Sequence, residues 1–285
     1  MKSKTAKTVL DIFSVLLIFG LGQVIGGIVG GILGSLFGSL YGGGYMSWTI
    51  SIALLTASVF TILLLLGSRY LLIRSNWLER TDFIAIINPS RLRWYLAPLM
   101  LIATFAGAVS TGCLAQAWGV EDRLEETIQN LATNPIGILT IVFIGPLSEE
   151  LIFRHAILGG MLRRGVSPWI AILVSSLLFG IIHWNPIQVL FASALGVMLG
   201  ILYTKSQSIV PSLIYHIINN GFAVVVMILS KVMDGQQDAT PDIFDNPILA
   251  YGMAAIGALI CIPAYIYYWR KPTLTSNPSA ITNNQ

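Results

Sequence analysis

Charge is scarce in this chain. Lys, Arg, Asp and Glu supply only 10% of its 285 residues, where soluble domains carry about 25%. That is too little polar surface to coat a water-soluble globule. The net charge of +3 is too small for a nucleic-acid partner, so none is expected. Cysteine is nearly absent: Cys113 and Cys261 are the two present, both in apolar stretches, which excludes a disulfide-stapled scaffold. Histidine is rarer than tryptophan, with three against seven. No convincing internal repeat exists, and the paired halves common in secondary transporters are therefore missing. The first apolar run is also too long for the core of a cleavable signal.

What fills the chain instead is hydrophobicity, at 55% of residues. About eight stretches are long enough to cross about 30 Å of hydrocarbon at 1.5 Å per residue. They lie near 9–40, 48–73, 92–118, 135–158, 168–184, 186–204, 209–230 and 247–269. The expected fold is all-α, a polytopic integral membrane helix bundle. The first stretch carries eight glycines between Gly20 and Gly38. The run Gly26, Gly30, Gly34 and Gly38 suits close helix packing, within one chain or between two.

Placing the N-terminus in the cytoplasm puts Lys2, Lys4, Lys7, Arg69, Arg74, Arg80, Arg91, Arg93, Arg163, Arg164, Lys205, Arg270 and Lys271 on that side. Only Arg123 and Lys231 then face outward. This bias predicts cytoplasmic N- and C-termini and an even number of spans. One integral membrane domain covers 1–271, with its motif-bearing core at about 135–230. Residues 74–91 read as a basic cytoplasmic loop. Residues 119–134 read as an amphipathic surface helix, with Leu124, Ile128 and Leu131 on one side. The tail 272–285, rich in Ser, Thr, Asn and Pro, reads as disordered.

Against this background the few polar residues inside apolar spans stand out. An ionisable group at membrane depth is costly, and by default marks a functional site. Glu149 and Glu150 are adjacent, and Arg154 follows four residues later. On a helix Glu150 and Arg154 share a face and can pair, leaving Glu149 as the unpaired acid. A clamp locking two helices together is an equally good reading of Glu150 and Arg154. Gly145-Pro146 just ahead removes a helical hydrogen bond and predicts a kink. Irregular backbone at depth is tolerated where it lines a wet cavity. His183 closes the run from Phe179, and His216 precedes Asn220 by four. That last pair suits interhelical glue or a donor pair aimed at a developing oxyanion.

Glu149-Glu150-x-x-x-Arg154, Phe179-x-x-x-His183 and His216-x-x-x-Asn220 occur in this order in three apolar segments. Together they resemble the three motifs of the CAAX-protease and bacteriocin-processing (Abi) family of intramembrane endopeptidases. That family includes the type II CAAX prenyl endopeptidase. The resemblance covers roughly 140–225, and His155, where many members carry glycine, is one departure from the pattern. The resemblance implies that Glu149 activates water, with His183 sharing or orienting it. His216 and Asn220 would stabilise the oxyanion, while Glu150, Arg154 and Phe179 support the site. It also implies a peptide or membrane-protein substrate, possibly lipidated, met among membrane lipids. The expected location is a prokaryotic cytoplasmic membrane. No Ser or Cys has comparable company, so a covalent acyl-enzyme is not expected.

Cofactors are expected to be absent. A zinc or other divalent ion is the alternative, with Glu149, His183 and His216 as a His2Glu ligand set. Two other functions compete with proteolysis. One is a non-catalytic scaffold regulating another membrane protein. The other is a proton-coupled carrier using the same buried groups as relays.

Overall fold

The protein is described from a computed structural model. It covers residues 2–41, 45–74, 77, 87–88, 93–120, 127–128, 131–132, 134–234 and 246–274. The expected loop at 74–91 and the tail beyond 274 lie almost wholly outside the described residues, as does much of the expected surface helix at 119–134. Of that helix, Ile128 and Leu131 are helical, and Leu131 is buried rather than surface-lying.

The described chain is helical throughout its ordered elements. Helix α1 runs Lys2–Tyr41, α2 Tyr45–Arg74 and α3 Ala97–Ala117. Helix α4 runs Pro135–Arg163, α5 Pro168–Ile181 and α6 Pro186–Ser206. Helices α7 (Ile209–Asp234) and α8 (Pro247–Trp269) complete the bundle. Seven of these helices are long and apolar enough to cross a membrane. The expected eighth span is α5, which has only 14 residues and reaches about 21 Å. This is a multi-pass integral membrane protein.

The glycine stripe of α1 resolves in favour of packing within one chain. Gly22, Gly26, Gly30, Gly34 and Gly38 all face α2, running antiparallel from Thr61 to Tyr45. A side chain at Gly26 would strike the Ala57 backbone at 2.5 Å, and one at Gly34 the Thr49 backbone at 2.7 Å. The close approach lets Thr56 donate from its hydroxyl to the Gly26 carbonyl at 2.7 Å. Gln23 likewise donates to Thr61 at 3.0 Å. Gly20, Gly27 and Gly31 point the other way, with nothing near.

Helix α8 packs antiparallel along α3, with Ser110 donating to the Ala254 carbonyl at 2.7 Å and Thr104 bonded to Tyr265 at 2.8 Å. Helices α5 and α6 form a hairpin whose close contact is permitted by Gly180, Gly196 and Gly200. Charged groups gather at one end of the bundle. Arg164 pairs with Asp11 of α1 and lies over the fully buried Trp77 ring, 4.8 Å from its centre. Arg163 donates to the Trp77 carbonyl at 2.9 Å. Arg93 donates to the Pro272 carbonyl, and Leu274 N–H donates to Lys205 O at 2.9 Å. Both described ends of the chain therefore lie at the same end of the bundle.

The two glycine faces give a paired prediction. Gly30→Leu drives a side chain into the Ile52 carbonyl and the Ala53 backbone, and overpacking of this kind costs about 1–3 kcal/mol. Gly31→Leu meets open space and is expected within about 0.5 kcal/mol of wild type. Melting temperatures of the two variants in the same detergent check this.

Candidate active site

Helix α4 is not a regular α-helix. It is α-helical over Pro135–Leu139, π-helical over Thr140–Ile144, and α-helical again over Gly145–Glu149. A second π stretch covers Glu150–Leu158 before the last α turn, Gly159–Arg163. π-Helical backbone is rare and concentrates at functional sites. Proline is the evident cause of the first stretch. Pro146 has no N–H and its ring crowds the carbonyl one turn back. The ladder ahead of it widens, and Gly145 N–H bonds to Thr140 O, five residues earlier. The irregularity forecast at Gly145-Pro146 is thus a change of helical register.

Counting residues along the spans forecast at 135–158 and 168–184 sets Glu149 and His183 about 10 Å apart in depth. The structure removes that gap. Helix α4 extends five residues further, to Arg163, so Glu149 is its midpoint. Helix α5 stops at Ile181, and His183 follows in the turn. Both residues thus stand about 20 Å along their helices from the charged end.

Glu150 and Arg154 are sealed, with side chains 0% and 1% exposed, and pair at 3.2 Å. The Phe179 ring covers the guanidinium, with its centre 4.4 Å from Cζ. Both nitrogens of His216, on α7, face glutamates: Nδ1 lies 3.0 Å from Glu150 Oε1 and Nε2 lies 3.6 Å from Glu149 Oε2. An ionised carboxylate only accepts, so Nδ1 carries the hydrogen toward Glu150. Glu149 differs from its neighbours in keeping 21% of its side chain exposed.

His183 Nδ1 lies 2.8 Å from the Phe179 carbonyl. A carbonyl cannot donate, so Nδ1 holds the hydrogen, and Nε2 is the nitrogen that accepts when the ring is neutral. The Phe179 ring meets both imidazoles edge-on, with centres 5.2 Å from His183 and 5.7 Å from His216. Beyond His183, Trp184 is exposed and left-handed at φ 54°, which turns the chain into α6. Asn220 Nδ2 donates to the Ile141 carbonyl of α4 at 3.0 Å, and Asn219 Nδ2 donates to Asn220 Oδ1 at 3.3 Å.

Six of the seven residues singled out in the sequence, Glu149, Glu150, Arg154, Phe179, His183 and His216, are joined by these contacts into one network, while Asn220 bonds instead to the Ile141 carbonyl and Asn219. Three partners were missed. The Ile141 carbonyl and Asn219 both hold Asn220, and His216 bonds Glu150 as well as facing Glu149. Only the polarity of Asn219 beside Asn220 offered a signal in the sequence. Among the described residues no three His, Cys, Asp or Glu side chains converge as a metal site. The expected alternative set of Glu149, His183 and His216 is not among such groups.

Fold and site define a multi-pass helical membrane protein built around an acid–histidine network at mid-helix. Its residues 131–222 match the family model described as Type II CAAX prenyl endopeptidase Rce1-like, in keeping with the resemblance carried by the three motifs. Two curated relatives are similar. The membrane-embedded CAAX protease MroQ of Staphylococcus aureus (strain USA300) is 32% identical over 147 residues, covering 48% of this chain and 58% of that protein. The candidate membrane peptidase YdiL of Bacillus subtilis (strain 168) is 27% identical over 138 residues, covering 47% and 56%. The chain thus spans little more than half the length of these relatives. No solved structure matches it significantly.

The sealed pair predicts an asymmetry between the two glutamates. Arg154→Leu leaves the Glu150 charge buried and uncompensated, which costs about 3–5 kcal/mol. Glu149→Gln, at a partly open position, is expected to leave the melting temperature within a few degrees of wild type. Thermal unfolding of both variants in detergent tests this.

Proposed function

We propose that the protein is an intramembrane endopeptidase in which Glu149 activates water. The observation that carries this reading is the contrast between two adjacent carboxylates. Glu150 is sealed and neutralised by Arg154, whereas Glu149 stays partly open beside the imidazole that links them. A partly open acid, a histidine that can accept a hydrogen bond and an amide donor are the parts that amide hydrolysis needs.

In the proposed reaction a water molecule approaches Glu149 and Nε2 of His183. Glu149 accepts one proton as the water oxygen bonds to the peptide carbonyl carbon. His183 accepts a hydrogen bond from the other hydrogen and orients the attack. The resulting oxyanion is held by Asn220 and His216. With Nδ1–H committed to Glu150, that role asks His216 to carry a second proton on Nε2. The charges of Glu149, Glu150, Arg154 and His216 then cancel. Glu149 returns its proton to the leaving nitrogen as the C–N bond breaks, giving an amine and a carboxylic acid, which then loses its proton to water. No step is routed through a metal.

The family match and the name of the Staphylococcus relative, a CAAX protease, support a peptide ending in Cys-aliphatic-aliphatic-X as the substrate class. The enzyme would meet it from the cytoplasmic side, where the charged end of the bundle is expected to lie.

The test uses purified protein in proteoliposomes with two quenched peptides, one S-farnesylated at such a Cys-aliphatic-aliphatic-X end and one unlipidated. Wild type is expected to cut the farnesylated peptide with and without EDTA. Glu149→Gln is expected to lose about 10²–10⁴-fold in kcat at unchanged melting temperature. Failure of wild type to cut either peptide, or full activity in Glu149→Gln, sinks the proposal and favours a scaffold. Loss of activity with EDTA sinks the metal-free mechanism.

A further inference from the structure

Two residues outside the three motifs bear directly on Asn220. In the π register ahead of Gly145, the next bond of the ladder would run from the N–H of residue 146 to the Ile141 carbonyl. Residue 146 is proline and has no N–H. The Ile141 carbonyl is thereby released from its own helix, at a depth where an unsatisfied backbone group is costly. Asn220 Nδ2 fills the vacancy from α7 at 3.0 Å.

The other end of the same amide is held as well. Asn219, buried at 8% exposure, donates from Nδ2 to Asn220 Oδ1 at 3.3 Å. The two contacts fix which way the amide faces. A flipped amide would set Oδ1 against the Ile141 carbonyl, two acceptors together. It would also set Nδ2 against the Asn219 amide nitrogen, two donors together. Neither contact survives the flip.

We propose that Pro146 and Asn219 are positioning residues for Asn220, the proline by freeing the Ile141 carbonyl and the asparagine by holding the amide oxygen. One Nδ2 hydrogen is thereby anchored, and the second is presented to the substrate. The catalytic consequence rests on the peptidase reading; the arrangement of the amide does not. Replacing Pro146 by alanine restores an N–H that bonds the Ile141 carbonyl from within α4. Asn220 then loses its anchor even though the helix gains a hydrogen bond. A proline serving only to shape the helix would give the opposite result, with stability raised and turnover kept.

The experiment compares wild type, Pro146→Ala, Asn219→Ala and Asn219→Ser, each alone and with Asn220→Ala, in the same proteoliposome assay on the farnesylated peptide. Pro146→Ala and Asn219→Ala are expected to lower kcat about tenfold with KM within about twofold. That is smaller than the 10²–10³-fold seen when an oxyanion donor is removed outright. The serine hydroxyl of Asn219→Ser, still a donor, recovers part of the loss. In the Asn220→Ala background neither substitution lowers kcat further. A second readout needs no activity: the side-chain amide resonance of Asn220 in 15N-asparagine-labelled protein in detergent. It is expected to move upfield in proton shift when Pro146 becomes alanine. Wild-type kcat in both single variants, or an unmoved Asn220 resonance in Pro146→Ala, overturns the proposal. If wild type cuts neither peptide, the peptidase reading falls and the resonance alone decides the positioning.

Discussion

The arrangement depends on one constraint, a carboxylate and a guanidinium enclosed where neither meets solvent. Glu150 and Arg154 are almost wholly buried, and a charge so placed persists only when it is paired and hydrogen-bonded. Their i,i+4 spacing brings them together along α4, and Phe179 closes over the guanidinium from α5. Glu150 still has acceptor capacity after meeting Arg154, and His216 supplies a donor from α7. Three helices separated in sequence are thus tied by the needs of one buried acid. The orientation of the His216 ring follows, since Nδ1 must face Glu150 and Nε2 is then turned toward Glu149. The open acid and its imidazole are placed by a charge pair that need not touch a substrate.

A second device acts through the backbone. Membrane helices satisfy their own peptide groups, and departures are tolerated where neighbours make good the loss. In α4 the departure begins with Pro146, and the compensating neighbour is Asn220. The second π stretch, Glu150–Leu158, carries Arg154 and is tied to α5 by the Ser175 hydroxyl, which donates to the Phe153 carbonyl at 2.8 Å. Helix α5 is short, and the left-handed Trp184 turns its continuation directly into α6.

Much of this was legible in the sequence because the signals were rare against their background. Two glutamates and an arginine in an apolar run, and histidines few enough to inspect singly, singled out six residues that the fold brings into contact. The helical fold followed from hydrophobic length, and the glycine stripe of α1 from its spacing of four. What was not legible depended on three-dimensional register. Counting residues cannot tell where a span ends when flanking residues such as Gly159 and Gly160 carry no charge. The end of α4 was therefore placed at Leu158 instead of Arg163, and the site seemed split between two depths. A π register leaves no compositional mark beyond its proline. The partner of an orphaned carbonyl lies on whichever helix happens to be adjacent. The direction of the α1 glycines, toward α2 and not toward a second chain, likewise required the packing itself.

The irregular features coincide in level, and that coincidence is itself an argument about the site. The π stretches of α4 lie on either side of its midpoint at Glu149, and the end of α5 and the Trp184 turn fall near that level. The glycine-packed α1–α2 pair and the α3–α8 pair are continuous helices on either side of that level. Regular helices would fill this level with apolar side chains and leave no backbone group unsatisfied. Here the carbonyls of Ile141, Phe153 and Phe179 accept side-chain partners, from Asn220, Ser175 and His183 respectively. Two of those three side chains belong to the motifs. Orientation by carbonyls, which only accept, turns the His183 imidazole and the Asn220 amide one way round. These two side chains are thereby oriented by neutral backbone groups, which add no further charge to an interior that already encloses Glu150 and Arg154.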